Sequence, residues 1–600
     1  MKFHLLLPLL LIGCTAAAQT TYPPNIFADT AQAPFLWGVG SFDPTADHVI
    51  LWTKVDPQGG SSPITLHWET FGDAALTQPI GNGTAMASST TNWTAKYDVS
   101  YPAAGTYYWY RWHDGNGHYS AVGRTKTAPT GMVPQLRMAV MSCSSIFSGY
   151  FNAYRRIGER NDLDLVIHLG DYIYDFVDQD EQVRVPVPAP IDPQTLAEWR
   201  DRQDYYLLDP DLRLARQNHP WTVIWDNHDV DGDSPQHMAD AIQAFQEYVP
   251  MRLQNSGQPD KIYRSLSYGE LVDLHLTDVE TQRDMDTLPN GDWSIMGNAQ
   301  WDWLSQSISA SNARWHLIGN EKMFTQFSTA GLGSLISFGD GPVADSSAWD
   351  GYNADRVRLL DYLDQNGIDN TIILSGDIHM SFICDAPSDY NNYDPGTGSG
   401  SKAMEFLPTS ISRGNFDEAG ITGFLAQLVQ VAIETANPHH VHSELTSHGY
   451  GILDIRPDTA TAEFWYSPIL QISTSESFST GYYAVTGENH WRRSAISSPT
   501  GLITALPAPD EVLPMRVEVF PNPVRDYATL RWTEPRGKSA KISILESSTG
   551  RVVATPGEIG HTFSNHAERR LDLRDLPSGH YQILLESSSQ SLRIPFVRSR

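Results

Sequence analysis

Three stretches of different patterning predict a multidomain chain: a β-sandwich over 35–129, a layered α/β domain over 130–500 and a second β-sandwich over 515–600. The first rests on short strand-like runs separated by turn residues. The second rests on buried apolar runs that alternate with helix-like segments. The third follows a linker over 501–514 that carries Pro507 and Pro509. At 600 residues the chain is longer than one core usually accommodates, which agrees with several domains.

The first 18 residues read as a signal peptide. Lys2 supplies the positive start, Leu5 to Ile12 the apolar core, and Ala16 to Ala18 a small-residue cleavage site. Leu11-Ile12-Gly13-Cys14 also has the form of a lipobox, so a periplasmic protein or a lipoprotein anchored at Cys14 is the alternative to secretion. No later run is long and apolar enough for a transmembrane segment. With 41 basic against 70 acidic residues the formal net charge is −29, which argues against a nucleic-acid-binding role and is compatible with hard cations. Beyond the leader only Cys143 and Cys384 remain, too few for a disulfide scaffold. They leave open a Cys143–Cys384 bond or a metal thiolate at Cys143.

In the first domain, 49–55, 64–70, 94–99 and 107–112 are strand-like, at a spacing that suggests a fibronectin- or immunoglobulin-like sandwich with Trp37, Trp52 and Trp68 as core candidates. In the second, strands are expected at 136–143, 163–169, 221–226, 262–267, 271–278, 313–320 and 371–377. Helices are expected near 147–160, 194–207, 211–217, 237–254, 299–310 and 353–366. The Gly- and Ser-rich 328–350 reads as a surface loop that rims the site.

Four of these strands end in polar clusters: Ser142-Cys143, Gly170-Asp171 with Tyr174, Asp226-Asn227-His228-Asp229, and Gly376-Asp377 with His379. The carboxyl ends of buried strands are where α/β folds hold ligands. The residue types suit a binuclear metal centre. Asp171 can bridge two ions; Asn227, Asp377 and His379 supply oxygen and imidazole ligands; Cys143 and Tyr174 supply anions that favour a transition metal over magnesium. Two such ions activate a water and clamp a phosphate, with His228 placed to protonate the leaving oxygen.

These motifs resemble the PhoD-type alkaline phosphatases/phosphodiesterases, a branch of the calcineurin-like metallophosphatases. The matching stretches are Gly38 to Pro44, Leu51-Trp52-Thr53, Ser142-Cys143, Gly149 to Tyr154, His168 to Tyr174, Trp225 to Val230, Trp349 to Tyr352 and Gly376 to His379. The resemblance implies a secreted, metal-dependent phosphoesterase acting on phosphomonoesters, phosphodiesters or both, through a metal-activated hydroxide. It implies Fe3+ on Cys143, Asp171, Tyr174 and His379. It implies Ca2+ sharing Asp171 and using Asp377, with Asn227, Asp229 or Asp233 completing the set; a binuclear Zn or Mn centre is the alternative. Asp171 and His228 would be catalytic, and His228 and Arg283 would bind substrate. The chain departs from the family where Asp226-Asn227-His228-Asp229 replaces Asp-Asp-His-Glu, where Asp231-Gly232-Asp233 replaces an Asn-containing stretch, and where Glu280 replaces an arginine.

The last 86 residues resemble the C-terminal sorting domain of type IX secretion substrates, on Phe520 to Pro523 and Leu576 to Tyr581. That implies the type IX machinery as a partner and a secreted or cell-surface protein. The rival reading is an inactive surface-displayed binding protein on a phosphatase scaffold.

Overall fold

The computed structural model describes residues 28–494, apart from 177–182, 185–191, 231, 233, 255–256, 329–336, 339–340, 343–345 and 419. It also describes 517–520, 527–533, 541–546, 551–558, 566–574, 576–586 and 591–598. The leader, Cys14, the linker and most of the expected loop at 328–350 lie outside these residues. The chain divides into two units, Met1–Thr504 and Ala505–Arg600.

The first unit is built on two sheets. A ten-stranded sheet carries Leu136–Met141, Leu165–Leu169 and Pro220–Ile224 side by side and parallel. A seven-stranded sheet carries Val272–Leu276, Trp315–Gly319, Thr371–Leu374 and Ser401–Leu407 in a second parallel block. Strands buried on both faces read as continuous apolar runs, because successive side chains enter different layers. Leu317, Ile372 and Leu374 join Val140, Ile167 and Ile224 in the core between the sheets. Ile318 and Ile373 point the other way, into a core with Leu304 of the helix Gly297–Ala310 and Leu359 of the helix Asn353–Gln365.

Helix starts follow local chemistry. Thr195 accepts a bond from the Glu198 amide, while Glu198 accepts from the Gln194 amide, a reciprocal cap on the helix Leu196–Tyr206. Asp209 and Ser234 cap the helices Pro210–Asn218 and Pro235–Tyr248, each with proline at its first position.

The N-terminal β segment contributes strands both to the ten-stranded sheet and to a sheet of its own. Val39–Phe42 pairs parallel with Pro220–Ile224, and His48–Lys54 and Thr94–Ser100 extend the same ten-stranded sheet. The strands Ile64–Phe71, Pro79–Ala87, Tyr107–His113 and Gly123–Lys126 form a separate four-stranded sheet. Leu66, Trp68, Tyr110 and Trp112 from that sheet share a core with Val49, Leu51 and Val99. Trp52 belongs to the central core instead, and its indole N–H donates to the Glu247 carbonyl at 2.8 Å. Asp43 is buried with Arg264 in a two-point ion pair of 2.7 and 2.9 Å, which joins this segment to the first strand of the seven-stranded sheet.

From residue 381 to 485 the structure adds Ser381–Pro387, His440–Glu444, Gly449–Ile455, Thr459–Tyr466 and Ser477–Val485, antiparallel strands flanking the parallel blocks. Cys143 and Cys384 are both buried and free, so the disulfide alternative is excluded. Among the described residues no helix is long and apolar enough to cross a membrane. The second unit consists of a three-stranded and a four-stranded antiparallel sheet, with Ile542, Ile544 and Ile583 buried in the latter.

Candidate metal centre

Five strands deliver the site, three from one sheet and two from the other. Leu136–Met141, Leu165–Leu169 and Pro220–Ile224 lead to Cys143, Asp171 and Asp226; Trp315–Gly319 and Thr371–Leu374 lead to Lys322 and Asp377. Glycine permits the close approach. A Cβ on Gly170, whose φ is +97°, would lie 2.6 Å from Asp226 Cβ, and one on Gly376 would lie 2.8 Å from Ser142 Cβ. Left-handed backbone recurs at non-glycine site residues: φ is 58° at Cys143, 52° at Asp171, 70° at Asp377 and 60° at His379. Each such residue costs about 1–3 kcal/mol and persists where its surroundings over-determine it, as they do at functional sites.

Cys143, Asp171 and His379 each present a ligand atom, and these atoms lie within 4.8 Å of one another. His379 Nδ1 donates to the Gly414 carbonyl at 2.9 Å, which leaves Nε2 as an acceptor. The Tyr174 hydroxyl stands 2.9 Å from Asp171 Oδ2 and 3.1 Å from His379 Nε2. A phenol has one proton for these two acceptors. Asp171 Oδ1 is buried with no hydrogen-bond partner. Burial, and then neighbouring carboxylates, push the Cys143 thiol well above its usual range, and burial pushes Asp171 up. A buried set of acids with an orphaned oxygen is what a cation resolves. The residues present therefore fit a metal at this position.

The second position is different. Lys322 Nζ lies 2.8 Å from Asp226 Oδ1, 3.0 Å from Asn227 Oδ1 and 2.9 Å from Asp377 Oδ1, with Glu280 at 4.0 Å. Burial alone would lower its pKa, but Asp226, Asp377, Glu280 and Asp171 together hold it well above the ordinary lysine range. A divalent ion on the same oxygens would sit within about 4 Å of this ammonium, a repulsion of about 8 kcal/mol at an effective dielectric near 20. The expected calcium set does not fit there while Lys322 does.

The remaining expected ligands divide. Asp229 is turned away: its carboxylate accepts the amides of Tyr172, Ile173 and Asp226 at 3.1, 3.0 and 3.0 Å, so it shapes two loops instead of facing an ion. Burial and the Asp171 charge push it up to about 8 against those three bonds. Asp233 lies outside the described residues. Arg283 is held by Glu280 at 3.1 Å through both terminal nitrogens and by the Ser347 carbonyl at 3.2 Å. It therefore reaches the site only through Glu280. His228 is buried, its Nδ1 2.7 Å from Asp175 Oδ1 and its ring stacked on Tyr174 at 4.2 Å. Asp175 thus fixes the orientation of the imidazole. No site role was assigned from the sequence to Lys322, Asp226, Asp175 or Glu280. The signal for Lys322 was present: it follows a fifth buried strand, 313–320, to whose end no chemistry was assigned.

Two sheets with acidic, thiol and imidazole groups converging at the ends of their parallel strands define a hydrolase of the metal-dependent phosphoesterase class. Family comparison agrees. Residues 138–464 match the PhoD-like phosphatase model, 18–129 its N-terminal domain and 518–597 the secretion system C-terminal sorting domain. The chain is 30% identical over 444 residues to alkaline phosphatase D of Bacillus subtilis (strain 168), covering 67% of this chain and 74% of that protein. The solved structure of PhoD superposes with a TM-score of 0.67 at 26% identity, covering 79% of this chain and 94% of that one. The chain belongs to the PhoD-like phosphatase family, hydrolases of phosphoric ester bonds, and its last segment is a secretion sorting domain.

Proposed function

We propose that this protein is a secreted phosphoesterase that hydrolyses phosphomonoesters, phosphodiesters or both at the Cys143–Asp171–Tyr174–His379 centre. Extracellular nucleotide, teichoic and phospholipid fragments are the substrate classes. The observation that carries the reading is the convergence of Cys143, Asp171 and His379, with Tyr174 bridging two of them and Asp171 Oδ1 left without a partner. The thiol and phenol favour iron over zinc or manganese. When bound, such an ion polarises a phosphoryl oxygen and makes water a nucleophile at neutral pH.

The chain's own groups account for the remaining steps. Asp171 orients the centre from the end of a rigid strand. Water attacks phosphorus in line, the ester P–O bond breaks, and the His228 imidazole, held by Asp175, gives a proton to the departing oxygen and is reprotonated by the proton that the attacking water releases. The sorting domain supports export through the type IX machinery to the cell surface or medium. The test is hydrolysis of p-nitrophenyl phosphate and bis-p-nitrophenyl phosphate by wild type and Asp171→Asn, before and after chelation. Activity lost in the variant and on chelation supports the reading, and the ratio of the two rates separates monoesterase from diesterase. Metal-loaded, folded protein that cleaves neither ester refutes it.

A further inference from the structure

We propose that Lys322 takes the place of a second metal ion, so that this is a single-metal phosphoesterase whose other cation is an ammonium group of its own chain. The inference rests on the phosphoesterase reading of the same site. An ammonium has three protons. Three oxygens stand at hydrogen-bond distance from Lys322 Nζ: Asp226 Oδ1 at 2.8 Å, Asp377 Oδ1 at 2.9 Å and Asn227 Oδ1 at 3.0 Å. Donor and acceptor numbers match, and the side chain is 4% exposed, so the arrangement is a built cation site with its cation already inside.

The three oxygens come from both sheets. Asp226 and Asn227 follow Pro220–Ile224, and Asp377 follows Thr371–Leu374. Lys322 follows Trp315–Gly319, the strand that pairs in parallel with Thr371–Leu374. The ammonium therefore ties together the loops that a second ion would otherwise tie together. The composition of the position agrees. Asn227 is an amide where the family resemblance leads one to expect a carboxylate, so the pocket is one negative charge poorer and its cation one positive charge smaller. Glu280 at 4.0 Å, itself paired with Arg283, completes a chain of alternating charge that leads outward from Lys322. With all three protons engaged, Lys322 acts on a substrate phosphate through its field and by positioning Asp226, Asn227 and Asp377, not by direct donation.

The experiment is metal content and calcium titration of the full chain. Wild type, Lys322→Met and Lys322→Asp are saturated with iron and calcium, dialysed, and analysed by elemental mass spectrometry. Each is then titrated calorimetrically with calcium chloride, with circular dichroism to confirm folding. The expected result is one transition-metal ion per wild-type chain with no saturable calcium binding, and saturable calcium binding gained in Lys322→Asp. Stoichiometric calcium in wild type overturns the proposal, as does a folded Lys322→Asp that binds none. If the variants do not fold, the wild-type titration decides by itself. Because binding is read without turnover, failure of this inference is distinct from failure of the phosphoesterase reading, which shows as an iron-loaded protein that cleaves no ester.

Discussion

Substituting His228 by glutamine tests the leaving-group assignment, and its effect depends on the ester. General-acid catalysis contributes about 10²–10⁴-fold, or roughly 3–5 kcal/mol at about 1.4 kcal/mol per decade. The ring that would supply it is held on two sides, by Asp175 at 2.7 Å and by Tyr174 at 4.2 Å between ring centres. At an effective dielectric near 20 the gross attraction between an imidazolium and Asp175 at that distance is about 6 kcal/mol, before desolvation is subtracted. His228→Gln removes the proton source, whereas Asp175→Asn leaves it in place but poorly oriented and costs about 10–100-fold. The assay compares kcat on p-nitrophenyl phosphate with kcat on phenyl phosphate. Phenol, with a pKa of about 10 like tyrosine, is much the poorer leaving group and needs the proton more. His228→Gln is expected to lose at least tenfold more activity on phenyl phosphate than on the nitro compound, with Asp175→Asn between wild type and His228→Gln on both. Equal losses on the two esters would falsify the general-acid role and leave His228 as a packing partner of Tyr174.

Three further outcomes test the architecture. Arg264→Ala leaves Asp43 buried without its two-point partner and should cost about 3–5 kcal/mol in urea unfolding; a variant as stable as wild type would show that the N-terminal strands do not depend on this tie. Asp229→Ala strands three buried amides at about 1–3 kcal/mol each, so both the melting temperature and activity should fall, and a fully stable but inactive variant would instead argue for a ligand role. His448 is buried against Asp417 and Glu418; burial opposes its charge, but their hydrogen bonds and charges push its pKa from 6.5 up to about 10. A folded-state pKa above the unfolded one means this contribution is complete below about 6.5 and is lost as pH rises through about 10. The urea midpoint of wild type should therefore drop between pH 6.5 and 10.5 more than that of His448→Gln, and parallel curves would remove His448 from the account.

Much of the site was legible locally. Buried strands followed at once by Cys143, Asp171, Asn227 and Asp377 announce themselves because a strand in a parallel block must end at the same edge as its neighbours, and polar residues gathered there have few other uses. The helices Leu196–Tyr206, Pro210–Asn218 and Pro235–Tyr248 were equally legible, since Thr195, Asp209 and Ser234 satisfy helix-start amides within a few residues, whereas the helix Gly423–Ala436 was not. The antiparallel flanks between 381 and 485 were not. Their partners lie on distant strands, as Gly449–Ile455 does on Leu136–Met141, and no turn signal encodes that pairing.

The sequence by itself determined which residue types stand at the strand ends, and so the kind of chemistry they can support. Tertiary structure decided which of them meet. Asp229 and Asn227 are two residues apart, yet one carboxylate closes on three backbone amides while the neighbouring amide faces Lys322. Arg283 has the charge for a phosphate, yet Glu280 claims it. Val39–Phe42 looks like part of a separate β domain, yet it hydrogen-bonds in parallel to Pro220–Ile224. Apart from Arg283 with Glu280, three residues away, each case includes a deciding contact between residues more than fifty positions apart. Its energy depends on distance and burial, quantities that exist only once the two sheets have packed.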